Sequence, residues 1–243
     1  MDDVPTYTFF HHNFSENTAD VVIPRRIAEQ HGFKHFVLRH SEIPVEILEQ
    51  YREALGSAVN PNELQNAWTY SNSQLADRTR LCGTVSPLGK SNFGRDLPES
   101  LATPPYLVTK THHYTRENKS EVKRWVQDIQ AYSQQSKVSK FDLFYWEHRE
   151  GNRTANSLMN SDLLIESLEP FNCRELIETL LRVPRRERMD GQIHKKVIGL
   201  NWPELMEFPL NPDEKHALFY SNSLLYYVGV KGKYLLERFQ RRP

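Results

Sequence analysis

The order strand, helix, strand at the start of this sequence constrains its fold more than any other feature. Residues 4–10 are rich in Thr, Tyr and Phe, which favour a β-strand, and the polar residues 11–18 end that strand. Asp20 can cap a helix that Gly32 is placed to end, and residues 36–38 have the composition of a second short strand. Two strands joined by a helix are the unit of a parallel sheet. We therefore predict an α/β fold with functional residues beyond the carboxyl ends of its strands.

The second half of the sequence has the periodicity of helices. Apolar residues recur at the spacing i, i+3, i+4, i+7 over residues 122–129, and residues 141–148 repeat that spacing. We therefore predict two parts. Residues 1–110 would form a partial parallel sheet with its helices, and residues 111–243 would form a mainly helical region.

The charge balance and the cysteines limit the expected partners and the expected cellular location of the protein. The 31 basic and 31 acidic side chains cancel, so the whole chain has no bulk attraction to nucleic acid, and we expect no nucleic-acid partner. Cys82 and Cys173 have neither the spacing of zinc ligands nor the number of a disulfide framework. Residues 2–4 lack the basic and apolar regions of a secretory signal. The sequence therefore predicts a cytoplasmic protein.

Short runs of residues spread over most of the chain carry a resemblance to a known family. In chain order they are Tyr7-Thr-Phe, the segment 20–32, the segment 83–95, Asp142-Leu-Phe-Tyr-Trp-Glu147-His-Arg149, Glu169-Pro-Phe-Asn-Cys-Arg174-Glu-Leu, Val183-Pro184, and Trp202-Pro-Glu-Leu with Pro209-Leu-Asn-Pro212. On these runs the chain resembles the synthetase part of asparagine synthetase-like proteins, particularly the divergent ones associated with bacterial surface polysaccharide genes.

The resemblance implies a Rossmann-like adenine nucleotide alpha hydrolase domain and a ligase activity. Complete relatives use ATP and magnesium to activate a carboxylate as an acyl-adenylate, which is then passed to an amine. In them a Ser-Gly-Gly-x-Asp-Ser loop, between the first strand and the first helix, holds the ATP phosphates through backbone N–H groups. This sequence has no Gly-Gly and no Ser-Gly dipeptide. We therefore expect a truncated or degenerate domain that begins after that loop, with no cofactor bound by this chain alone and no independent catalysis.

A second loop of the family, which holds magnesium pyrophosphate and ends in Asp-Glu, would fall on residues 83–89. No carboxylate stands in that segment, and magnesium usually takes one or two carboxylates besides phosphate oxygens. We accordingly predict no metal site and assign no catalytic residue. The neighbouring Gly89-Lys90-Ser91 lacks the spacing of a P-loop, because Thr84 stands where that motif has glycine.

Six residues are candidates for binding phosphate or substrate: Lys90, Arg95, Glu147, Arg149, Lys195 and Lys196. Lys90 and Arg95 would face an anion at a strand end, or else belong to a solvated loop. Glu147 lies one helical turn from Glu150, a spacing suited to acid–base chemistry and equally to surface ion pairs with arginines such as Arg149. By the resemblance, Lys195 or Lys196 would neutralise phosphate charge as pyrophosphate leaves, and the alternative is a solvated helix edge.

A non-enzymatic scaffold or peripheral membrane protein is the alternative function. Five basic residues near the end of the chain follow the apolar run 224–228, namely Lys231, Lys233, Arg238, Arg241 and Arg242. Such a tail can rest on an anionic membrane, or it can end a helix whose dipole its charges satisfy.

The first strand has a consequence for assembly. Without the strand that precedes it in the family, residues 4–10 should expose unpaired backbone groups. We therefore expect a homo-oligomer, or a partner chain that completes the sheet.

Overall fold

The computed structural model describes residues 4–56, 60–94, 97–111, 115–210 and 212, together with residues 225, 228, 229 and 232. The chain forms two compact units. The first unit contains residues 1–83, 154–170 and 198–212, and the second contains residues 84–153, 171–197 and 213–243. Both units take residues from either side of residue 110, where the sequence analysis divides the chain.

Short strands and many helices are mixed in the chain, as the prediction of an α/β fold requires. The described strands are β1 (Thr6–Phe10), β2 (His35–Arg39), β3 (Arg80–Leu81) and β4 (Ser167–Leu168). They form two parallel pairs in the first unit, β1 with β2 and β3 with β4. Thr6 lies opposite His35, and Phe10 lies opposite Arg39. The predicted strand–helix–strand unit is therefore confirmed.

Helices make up most of the rest. The described α-helices are α1 (Ala19–His31), α2 (Val45–Leu55), α3 (Pro61–Ser71), α4 (Pro104–Thr111), α5 (Arg116–Ser136), α6 (Lys140–Phe144), α7 (Ala155–Ser161), α8 (Arg174–Arg182), α9 (Arg185–Arg188) and α10 (Gln192–Asn201). A π-helix, Tyr145–Thr154, joins α6 to α7, and 3₁₀ helices span Ser86–Gly89, Glu99–Leu101, Met189–Gly191 and Pro203–Glu207. In the part of the chain that the structure describes, no helix is both long enough and apolar enough to cross a lipid bilayer.

Helix α1 begins before Asp20 and contains a proline. Thr18, rather than Asp20, is the residue that precedes the helix. Pro24 has no N–H and cannot donate to the carbonyl of Asp20, four residues earlier. The hydroxyl of Thr8 donates to that carbonyl instead, at 3.2 Å, so β1 satisfies the group that the proline leaves free. Gly32 ends the helix as predicted, with φ of 72°.

Each unit has its own hydrophobic core. In the first unit the core cluster is Leu38, Ala67, Tyr70, Leu75 and Ile165. In the second unit, buried side chains around α4, α5 and α6 form a larger cluster, namely Leu97, Ala102, Tyr106, Leu107, Val108, Val122, Phe141 and Phe144. A smaller cluster in the second unit consists of Val85, Leu88 and Ile177. This last cluster anchors the turn that carries the candidate site.

Candidate functional site

Residues 84–90 of the second unit form a tight turn with a strained backbone, named here the 84–90 turn. Val85 has φ of 68° and ψ of −37°, which is close to the rare γ-turn conformation and unfavourable for a side chain branched at Cβ. The 3₁₀ helix Ser86–Gly89 follows, and the N–H of Leu88 donates to the Val85 carbonyl at 2.9 Å. Strain of this kind persists only where the surroundings hold the backbone in place, and it is concentrated at functional sites.

A buried arginine holds the turn. Arg188 is 1% exposed, its Nη1 donates to the carbonyl of Leu88 at 2.9 Å, and its Nε donates to the carbonyl of Val183 at 2.9 Å. Both terminal nitrogens also donate to the carboxylate of Asp142 on α6, which makes the pair bidentate. Burial raises the pKa of Asp142, and Arg188 opposes that shift. One guanidinium group therefore ties the turn to α6 and to the end of α8.

A carboxylate reaches the turn from the π-helix. Glu150 is 8% exposed, and its Oε2 accepts a hydrogen bond from the N–H of Val85 at 3.4 Å. Tyr145 lies beside Glu150 and Arg149. Burial raises the pKa of Tyr145, Glu150 raises it further, and Arg149 opposes the shift. Residues 83–89 contain no carboxylate, and the sequence did not predict that one 65 positions away would reach them.

The π-helix separates two carboxylates that an α-helix would place on one face. Glu147 is exposed and accepts a hydrogen bond from the indole N–H of Trp125 at 2.7 Å, whereas Glu150 is buried at the turn. A π-helix has more residues per turn than an α-helix, so positions i and i+3 diverge around its axis. The candidate residue Glu147 thus contacts α5, and its neighbour Glu150 takes the place at the 84–90 turn.

A histidine and a lysine complete the surroundings of the turn. The ring Nε2 of His194, on α10, lies 3.1 Å from the carbonyl oxygen of Ser86, which only accepts hydrogen bonds, so Nε2 carries a proton. Burial lowers the pKa of His194, and the charge of Lys90 lowers it further. The Cε of Lys90 lies 3.7 Å from where a Cβ on Gly191 would stand. The lysine therefore lies close to the start of α10, beside the histidine.

Two buried polar atoms at the turn have no hydrogen-bond partner among the described residues. They are the hydroxyl oxygen of Thr84 and the Nδ1 of His194. A buried polar atom without a partner costs about 1–3 kcal/mol, and each such atom calls for a water, an ion or a ligand that would satisfy it. The Thr84 hydroxyl can donate a hydrogen bond, whereas Nδ1 of His194 accepts one when the ring is neutral and donates only when the ring is protonated. With the ammonium group of Lys90, the turn therefore suits an anion when His194 is protonated.

Of the six candidate residues, Lys90 is the one that lies in this turn among the described residues. Lys90 ends the turn, and Arg149 lies beside Tyr145 on the π-helix. Lys195 is partly buried and Lys196 is exposed, and both follow His194 along α10. Arg95 lies outside the described residues.

Four residues at the turn were not among the candidates: Asp142, Glu150, Arg188 and His194. Asp142 gives the clearest signal in the sequence, because a carboxylate between Phe141 and Leu143 interrupts an apolar run. Such a position indicates a buried charge that needs a partner. His194 gives no comparable signal, since its role depends on a carbonyl 108 positions away.

The described residues do not form a metal site of their own. In that part of the chain, no group of three or more His, Cys, Asp or Glu side chains is placed to hold a metal ion. Magnesium that is bound mainly through phosphate oxygens needs only one or two protein carboxylates, and Glu150 has the chemistry for that role. The residues at the turn therefore fit a phosphate group better than a bare cation.

Comparison of the chain with protein-family models, with curated proteins and with solved structures finds no match.

His194 makes the stability of the protein depend on pH. Its pKa in the folded protein lies below the ordinary value of 6.5, so the unfolded chain binds more protons as the pH falls below that value. The stabilisation is therefore complete above pH 6.5 and is lost as the pH falls toward the folded pKa. In His194→Gln the amide N–H can still donate to Ser86, but the side chain does not titrate. We expect this variant to lose less unfolding free energy than the wild type between about pH 7 and about pH 5. Urea titrations at several pH values measure the difference, and equal losses would contradict it.

Proposed function

We propose that the 84–90 turn binds a pyrophosphate or phosphate group, and that the chain is a divergent asparagine synthetase-like domain. The observation that carries the proposal is that one strained turn contains Lys90 and Thr84 and contacts His194, and that polar atoms of the last two are buried without a partner among the described residues. The family-like runs support it, since this turn lies in the segment where complete relatives hold magnesium pyrophosphate.

The groups at the turn suit phosphate oxygens. Lys90 supplies a positive charge, and the hydroxyl of Thr84 supplies a donor. When His194 is protonated, its Nδ1–H can donate to the anion while its Nε2–H keeps the hydrogen bond to Ser86. A nearby anion favours the protonated imidazole. Binding is therefore coupled to proton uptake at His194.

Charged neighbours extend the proposed site. Arg149 can balance further negative charge, and Glu150 can contribute to magnesium that arrives with the phosphate. Lys195 and Lys196, which follow His194 along α10, are the residues that the resemblance assigns to the departing pyrophosphate. In this proposal Lys90, Thr84 and His194 recognise the phosphate group, and the charged neighbours balance its remaining charge.

We do not propose that these 243 residues form an adenylate by themselves. The loop that holds the ATP triphosphate in relatives has no counterpart in the sequence, which contains no Gly-Gly dipeptide. The backbone amides that loop provides would have to come from another segment or another chain. The proposed role of this chain is the recognition of phosphate within such a ligase.

Isothermal titration calorimetry with magnesium pyrophosphate tests the proposal. We expect saturable binding to the wild type and at least about tenfold weaker binding to Lys90→Gln, because a hydrogen bond to a charged group contributes about 1.5–3 kcal/mol. Lys123→Gln removes the same charge from an exposed position on α5 and should leave the affinity unchanged. The heat should also vary with the ionisation enthalpy of the buffer below about pH 7, which reports the proton taken up by His194.

Three results would contradict the proposal. If millimolar pyrophosphate gives no saturable heat, or if Lys90→Gln binds as tightly as the wild type, the turn is not the site and the non-enzymatic scaffold becomes the better function. If magnesium ATP binds far more tightly than pyrophosphate, the chain holds a whole nucleotide by itself and is not dependent on added groups.

A further inference from the structure

The two strand pairs of the first unit are unusually small for parallel sheets. Parallel sheets are nearly always larger and covered on both faces, and an isolated pair of strands is only marginally stable. Among the described residues, β1 pairs only with β2, and β3 pairs only with β4. Both β1 and β3 therefore have an open edge.

Backbone groups on these open edges lack a strand to pair with. In a parallel ladder, alternate residues of a strand hydrogen-bond to opposite sides. The N–H of Thr6 donates toward β2, so the backbone groups of Tyr7 and Phe9 face away from β2. The N–H of Arg80 donates toward β4, so the backbone groups of Leu81 face away from β4. Two edges are thus ready to accept a further strand.

A cavity of about 870 Å³ is lined by residues of both β1 and β3. Tyr7 and Phe9 of β1 line it, and so do residues 78–83, which include β3. A five-residue strand is about 16 Å long, about 4.8 Å wide and, with its side chains, about 10 Å deep, so it fills roughly 800 Å³. The cavity therefore has the volume of one short strand.

The walls of the cavity suit the side chains of a peptide. The rings of Tyr7 and Tyr70 pack edge to face, with their centroids 5.2 Å apart. Burial raises the pKa of Tyr7 to about 12 and the pKa of Cys82 to about 11, as expected for apolar surroundings. Arg80 is 6% exposed, and its Nε donates to the Ser167 hydroxyl at 3.1 Å. The charged side chain in the cavity wall, Arg80, therefore already has a hydrogen-bond partner within the first unit.

We propose that this cavity, the strand slot, receives an extended segment of a partner polypeptide, which pairs with β1 on one side and β3 on the other. The added strand joins the two pairs into one five-stranded sheet. The partner segment is about five residues long, apolar at alternate positions, and free of proline, because its N–H groups must bond to both edges. This inference depends on the edges and the cavity of the first unit, and not on the proposed function of the 84–90 turn.

No described strand of a second copy of this chain fits the slot. Every strand in the described part of the chain is already paired with a neighbour in its own sheet. A strand that enters the slot must have both of its edges free, and none of the described strands meets that requirement. The occupant is therefore a segment with no partner of its own before binding.

A labelled strand peptide tests the proposal directly. The probe is a fluorescein-labelled, terminally blocked hexapeptide of alternating threonine and valine, and its binding is followed by fluorescence anisotropy. We expect saturable binding to the full chain. The same peptide with N-methyl groups on its three valine amides keeps every side chain but loses alternate N–H donors, and it should bind at least tenfold more weakly.

Cysteine alkylation locates the bound peptide. Cys82 lines the cavity, whereas Cys173 is exposed in the second unit, so one protein carries both the reporter and its internal control. Saturating peptide should slow the reaction of Cys82 with iodoacetamide at least fivefold, as measured by mass spectrometry, and leave the reaction of Cys173 unchanged.

Four results would overturn the strand slot. They are the absence of peptide binding at millimolar concentration, equal binding of the N-methylated peptide, no protection of Cys82, and protection of Cys82 without peptide in a homodimer detected by sedimentation. The last result would assign the cavity to a second copy instead. Each of these results leaves the pyrophosphate titration of the 84–90 turn unaffected, so the two proposals fail separately.

Discussion

Replacing Asp142 by alanine is expected to lower the free energy of unfolding by about 3–5 kcal/mol, the usual effect of removing one partner of a buried ion pair. Arg188 is 1% exposed and shares its terminal nitrogens with this carboxylate. Without Asp142 its charge stays buried with only backbone carbonyls as acceptors. Urea unfolding followed by tryptophan fluorescence measures the change, and a loss below about 1 kcal/mol would contradict the expectation.

Two further variants separate the buried charge from other effects. Glu121→Ala removes an exposed carboxylate that pairs with Arg124, and it should cost less than about 1 kcal/mol. The double variant Asp142→Leu with Arg188→Met replaces the whole buried pair by apolar side chains. It should recover much of the stability lost in Asp142→Ala, because neither charge is then left uncompensated. If Asp142→Ala does not fold at all, recovery in the double variant still tests the argument.

Gly94→Ala is expected to be the most damaging of the small substitutions in the second unit. Gly94 has φ of +77°, and a Cβ there would stand 2.7 Å from the ring of Phe141, which is fully buried. The positive φ costs about 1–2 kcal/mol for an alanine, and the collision with a close-packed ring adds about 1–3 kcal/mol. We therefore expect a total loss of about 2–5 kcal/mol in the free energy of unfolding.

Gly32→Ala is the matched control for Gly94→Ala. Gly32 has a similar φ of +72°, but a Cβ there would have no atom within 4 Å. This variant should show the backbone cost alone, about 1–2 kcal/mol. Parallel urea titrations compare the two proteins, and equal losses would mean that Phe141 moves aside without cost.

The local features of the fold could be predicted from the sequence. The first strand, the first helix and the second strand follow from composition, from Gly32 and from the polar residues that end the strand. The parallel pairing follows from the helix between the strands. The predicted N-cap of the first helix was wrong by two residues. Threonine and aspartate are both favourable at an N-cap, and the local pattern does not decide between Thr18 and Asp20.

The site could be predicted only in part, because it depends on contacts between distant residues. Lys90 was a candidate through its place in the chain, but the arginine that fixes its turn binds a carbonyl 100 positions away. Glu150 accepts a hydrogen bond from the N–H of Val85, which lies 65 positions away in the sequence. The choice between Glu147 and Glu150 depended on a π-helix, a rare conformation that helical periodicity does not distinguish from an α-helix. Sequence patterns therefore identified charged residues near the site, but they did not predict which way the side chains point.

The discontinuous make-up of the first unit affects how the protein folds as it is synthesised. β3 pairs with β4, whose residues lie 87 positions later in the chain. A ribosome adds about 5–20 residues per second, so β3 waits on the order of ten seconds for its neighbour to emerge. During that interval residues 84–153 of the second unit are synthesised, while the first unit is still open. Until β4 emerges, the nascent chain exposes both edges of β3, and this is when an external strand or a chaperone has the easiest access to that strand.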